Sequence, residues 1–237
     1  MKKILLLAAT TSTILLSSIA SSMAAAPESE FYVKAEAGAT LFNKAKDGPS
    51  GLKMKAKPAP VFGLGVGYYL MDNCRADLSI LFVTNAEMKK NASVAASRFI
   101  ENAPGNAVGS VKHKPTIMAL MLTGYVDAYD FSVANFFLGA GVGVTQIKEK
   151  ETASYTYNGT KKELFGSTKK KTTFAYQLIA GVSAEFAPGV KGELSYMWRD
   201  FGKTKGKTIN AGNLGNVRIG NTAYRGHNLI AGLRFDI

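Results

Sequence analysis

A chain of 237 residues with a single cysteine, Cys74, cannot rest on internal disulfides. Histidine is almost as scarce. His113 and His227 are the only two, and with one thiol they make no metal-ligand cluster. Proline occurs 7 times against 24 glycines, and long amphipathic helical patterns are missing. Past the N-terminus, no stretch approaches the roughly 18 consecutive apolar residues of a helical membrane span. These absences argue against a disulfide scaffold, a metal centre and a helical membrane protein. Gly63-x-Gly65-x-Gly67 and Gly139-x-Gly141-x-Gly143 open no helix, so they are read as room-making glycines on strands rather than a phosphate loop. No cofactor is expected.

What the chain has in quantity is strict alternation. In 31–42, Phe31, Val33, Ala35, Ala37 and Leu41 oppose Tyr32, Lys34, Glu36 and Thr40. In 60–70, Phe62, Leu64, Val66 and Tyr68 oppose the three glycines. The same period of two runs through 74–83, 173–186, 190–199 and 223–237, with further strands expected at 115–127 and around 136–147. Only 115–127, with its methionines, leaves the faces ambiguous. Tight turns fall at 71–73, 128–130 and 187–189, and long connections at about 43–59, 84–114, 148–172 and 200–222. Short turns alternating with long loops, and strands of about ten residues, predict an all-β, eight-stranded antiparallel up-and-down transmembrane β-barrel.

The closing segment, HNLIAGLRFDI, carries most weight. Leu229, Ala231, Leu233, Phe235 and Ile237 form an apolar face that nothing later in the chain covers, while Arg234 and Asp236 sit opposite. Lipid covers such a face and a barrel interior takes the charges. A soluble lipocalin-like barrel also has eight strands, but its apolar residues would line the inside. At the N-terminus, Lys2, Lys3 and a short apolar run ending in small residues read as a secretory signal peptide over 1–24, leaving 25–237 as the barrel.

The charged residues of the inner faces are Glu36, Arg75, Asp77, Glu185, Lys191, Glu193, Arg199, Arg234 and Asp236. Acids and bases are mixed, which predicts a plug of ion pairs rather than a water-filled pore.

Lysine plus arginine outnumber aspartate plus glutamate by 29 to 17, a net charge of +12. The excess gathers in the four long connections, with the last two favoured as a binding region: Lys161, Lys162, Lys169, Lys170, Lys171, Lys203, Lys205 and Lys207. Two readings stay open here. The lysines neutralise anionic lipid head groups or solvate the loops, or they capture acidic ligands, helped by Tyr155, Tyr157, Leu164 and Phe165 at short range. Nucleic acid is a poor candidate partner. Catalysis is not expected, because neither histidine sits in a recognisable pattern with a nucleophile. A lipid A-modifying enzyme using His227 is the remaining alternative of that class.

Several segments carry a resemblance: YVKAEAGATLFN, GLGVGYYL with RADL, HKPTI, GYVD, GAGVG and the closing HNLIAGLRFDI. Across essentially the whole chain these resemble the rickettsial Adr family of small outer-membrane adhesins. The closing segment also resembles the C-terminal assembly signal of bacterial outer-membrane barrels, with Ile237 where those usually have phenylalanine. The resemblance implies adhesion through exposed loops, host vitronectin as a ligand, and help in attachment and serum resistance. A structural envelope barrel without a specific ligand is the rival expectation.

Overall fold

In the computed structural model, the described residues run from Glu30 to Ile237, except 44–45, 48–51, 54, 85, 90–93, 96–101, 103–104, 106, 132, 206, 211–215 and 220. The expected signal peptide lies outside them. Of Lys161, Lys162, Lys169 and Lys207 only the backbone is described.

Eight long strands form the wall: β1 (Phe31–Phe42), β2 (Ala59–Met71), β3 (Cys74–Val83), β4 (Val108–Asp130), β5 (Asn135–Tyr157), β6 (Thr160–Ala187), β7 (Val190–Thr204) and β8 (Thr222–Asp236). Each pairs antiparallel with its neighbour in sequence, and β8 pairs back onto β1, from Tyr32↔Asp236 to Phe42↔Gly226. The sheet therefore has no free edge along the barrel, as a wall in lipid requires. No helix among the described residues is long and apolar enough to cross a membrane.

Alternation assigns the faces as expected. Phe62, Leu64, Val66, Leu78, Leu120, Leu122, Val142, Leu178, Leu194 and Leu229 are exposed on the outside. Aromatic rings mark the margins of this belt, with Phe31 against Tyr68 at the short-turn end and Phe174, Tyr176 and Trp198 at the other. On β4 the ambiguity resolves with Met118 outward and Met121 inward.

The glycines of β2 have a steric job. Register sets Gly63, Gly65 and Gly67 opposite Glu36, Lys34 and Tyr32 of β1. A Cβ on Gly63 would stand 2.6 Å from Glu36 Cγ, and one on Gly67 would overlap the Tyr32 ring. Missing side chains on β2 are thus the space that the long inward side chains of β1 occupy.

Two expectations about the connections change. The span 148–172, expected as a loop, is β-ladder: β5 and β6 stay paired up to Tyr157↔Thr160 and meet in the two-residue turn Asn158-Gly159, both with positive φ. Asn-Gly is the favoured sequence for such a hairpin; the lysines disguised it, because charge reads as loop although an outward strand position accepts it. The span 84–114 likewise ends in strand, since β4 begins at Val108. In 43–59 and 200–222 short ladders form, Lys46–Asp47 with Leu52–Lys53 and Lys207–Asn210 with Asn216–Ile219.

Candidate functional site

The lumen splits into two halves. Toward the short turns lie ion pairs drawn from strands far apart in sequence. Lys34 Nζ is 2.6 Å from Asp77 Oδ2 and 3.5 Å from Glu36 Oε2, and donates to the Tyr125 hydroxyl at 3.0 Å. Arg75 bridges Asp127 at 2.6 Å and Glu193 at 3.2 Å, while Arg234 meets the same Glu193 oxygen at 2.5 Å. Nearest the end, Lys191 pairs with Asp236 at 2.8 Å, and the Tyr69 hydroxyl donates to the other oxygen of that carboxylate at 2.7 Å. The guanidiniums also lie over aromatic faces. Arg75 sits 4.7 Å from the ring centres of Tyr125 and Phe137, and Arg234 lies 5.4 Å from Tyr32.

Toward the long loops the filling is apolar. Phe42, Val61, Leu81, Val83, Ile117 and Phe201 belong to one buried cluster. Arg199 stands at the boundary. It is 1% exposed, and its Nε donates to Gln177 Oε1 at 2.7 Å, whose amide donates to Thr123 at 2.8 Å. Above the cluster, Tyr224 and Glu149 form a buried hydrogen bond.

Seven of the nine expected inner charges join ion pairs: Glu36, Arg75, Asp77, Lys191, Glu193, Arg234 and Asp236. Arg199 lies inside without a carboxylate contact among the described residues. Glu185 does not enter the lumen. It is exposed beside the 187–189 turn, where the ladder slips between Glu185 and Ala187, and accepts a hydrogen bond from the Gly189 amide. The plug is therefore only half ionic. Lys34 stands on the inner face of β1 outside the expected set, because nothing local distinguishes a lumen lysine from a solvated one. Tyr32, Tyr69, Tyr125 and Asp127 were also missed.

A small cavity of about 10 Å³, lined by Lys34, Glu36, Tyr125 and Glu193 among others, leaves room for about one water here. At the long-loop end, β6 pairs with β7 only from Tyr176↔Asp200 onward, so the two strands diverge above that point. The divergence opens a groove of about 460 Å³ that brings together Lys171, Lys203 and Lys205 with Phe174 and Tyr176. Asp200 lines it too, but its carboxylate is held by Arg225 at 2.6 Å and by the Gly202 amide at 2.8 Å. Lys170 points to the outer wall instead.

His227 is on the outer wall, its ring stacked on Tyr196 with Nδ1 2.5 Å from the Tyr196 hydroxyl. Its described partner is thus a phenol rather than a serine. No cluster of metal-binding side chains occurs among the described residues.

Comparison with known proteins agrees with this architecture. The family model described as "Outer membrane protein beta-barrel domain" matches residues 11–234. A protein of Rickettsia conorii named "Putative adhesin" is 44% identical over 226 residues, covering 92% of this chain and 86% of the relative. One of the same description from Rickettsia bellii is 41% identical over 237 residues, the whole of both chains. Among solved structures, the outer membrane protein OprG of Pseudomonas aeruginosa shares the fold with a TM-score of 0.52 at 14% identity, covering 90% of this chain and 98% of that one. The chain belongs to the outer-membrane β-barrel family, beside its adhesin-named rickettsial relatives, and crosses the bacterial outer membrane with eight strands.

Proposed function

We propose that this barrel is a surface adhesin that captures an acidic segment of a host protein, of which vitronectin is the first to test. The groove at the divergence of β6 and β7 carries the proposal. It sets three lysines beside two aromatic faces at the end of the barrel that this class turns to the outside. Lys161, Lys162, Lys169 and Lys207 belong to the same end by their places on the β5–β6 hairpin and the last connection. The lysine excess of the long connections steers an acidic partner from a distance, and the groove aromatics then supply short-range contact. Captured vitronectin would serve both attachment and serum resistance.

The test is surface plasmon resonance of the refolded barrel on immobilised vitronectin. Replacing Lys171, Lys203 and Lys205 by serine is expected to weaken binding at least ~tenfold, mostly through the association rate. Binding by the parent protein should fall as salt rises, since the Debye length shrinks from ~10 Å at 0.1 M to ~3 Å at 1 M. Unchanged binding by the triple variant, or by the parent at high salt, would overturn the groove lysines as the capture surface, and no binding by the parent would favour an envelope barrel with no such ligand.

A further inference from the structure

The outer wall carries a second basic surface, separate from the groove. On β4, β5 and β6 the outward apolar row of the belt, among the described side chains, runs up to Met118, Val144 and Phe174. Four positions further from the belt on each strand stand Lys114, Lys148 and Lys170, with Lys150 beyond Lys148. All four lysines are exposed on the outward face. Register sets Lys148 directly opposite Lys170, and Lys150 directly opposite Lys114.

Like charges facing each other across a ladder repel. No carboxylate among the described residues pairs with any of the four. Nor do the β5 lysines guard a sheet edge, because β5 has β4 and β6 on either side at this height. Among the described residues, then, nothing compensates the arrangement.

We propose that Lys114, Lys148, Lys150 and Lys170 form a clamp for the phosphate groups of outer-leaflet lipids. Height selects this occupant. At ~3.3 Å per residue and a tilt of ~40°, four residues raise a lysine about 10 Å above the last apolar row. The head-group layer extends roughly 5–8 Å beyond the hydrocarbon, and a lysine stem bends back across the difference. The clamp is also continuous with the lipid-facing belt below it and looks sideways along the membrane plane. A soluble partner arriving from outside meets the loop end first. A phosphate between each opposed pair removes the repulsion that the register builds in.

The experiment uses the full barrel refolded into phosphatidylcholine vesicles containing either lipid A or lipid A stripped of both phosphates. Lipid retained after extraction into detergent is counted by native mass spectrometry. The parent protein is expected to retain phosphorylated lipid A and not the stripped form. The variant K114S/K148S/K150S/K170S should retain at least ~tenfold less, since each lysine near an anionic surface adds to its attraction. K203S/K205S, altered only in the groove, should retain as much as the parent, which separates this clamp from adhesin activity. As a second variant, Lys148→Glu gives Lys170 an internal partner, so it should fold at least as well and still lose lipid. Equal retention of the stripped lipid by the parent, or undiminished retention by the quadruple variant and by Lys148→Glu, would overturn the proposal.

Discussion

The two halves of the lumen are walled by the same eight strands and obey the same alternation, yet their fillings are opposite. Near the short turns, Arg75, Glu193 and Arg234 share one network with Asp127. Near the long loops, Phe201 packs against Phe42 with ring centres 6.1 Å apart, beside a cluster of aliphatic side chains. An inward position therefore demands a partner rather than a polarity. A charge qualifies where the opposite sign stands across the lumen, and a hydrocarbon qualifies where other hydrocarbons do. Arg199 departs from this pattern, buried without a carboxylate contact among the described residues and held by Gln177 instead.

That contrast can be attacked by substitution. The largest effect is expected at Gly67→Leu, because the Tyr32 ring fills the place of its side chain. No heat-modifiable folded band should appear on refolding into micelles. Single removals in the two halves should then hurt alike. Arg75→Met strands Asp127, leaves Glu193 with Arg234 alone and is expected to lose about 3–5 kcal/mol, while Phe201→Ala opens a cavity worth about 3–5 kcal/mol. Urea unfolding in micelles measures both.

The halves should part when both partners go. Lys34→Met with Asp77→Leu removes a pair at 2.6 Å and substitutes apolar volume. The double variant is expected to be more stable than Lys34→Met alone, which strands both Asp77 and Glu36, and to fall short of the parent because Glu36 still loses its partner; the same urea titration of all three variants decides this. If instead the losses add, the pair contributes net stability and the charged half is more than a different way of filling space. The smallest effect belongs to the rim. Lys191, whose side chain keeps 23% of its exposure, should lose under about 1 kcal/mol on replacement by methionine, and that loss should vanish in high salt.

Much of this was legible in the chain, and for a definite reason. A period of two is a local property, so Val66 or Leu229 declares its face without reference to any other strand. Arg75, Asp77 and Arg234 declared theirs in the same way. The groove lysines were readable only as a crowd. Lys170 and Lys171 are neighbours in sequence, yet one faces the wall and the other the groove, a split that appears once 148–172 is seen as ladder. Glu185 misled for the mirror reason, since a slip in register next to a turn leaves it outside.

Sequence alone determined that eight strands cross the belt, the faces of most of them, and the lipid that must cover the belt, because each follows from the spacing of residues along a single strand. Tertiary structure decided who meets whom: Tyr32 over Gly67, Lys34 on Asp77, Lys148 facing Lys170, and Lys171 beside Lys203. Those meetings depend on register between strands and on closure of β8 against β1, which are set by the packing of the whole barrel.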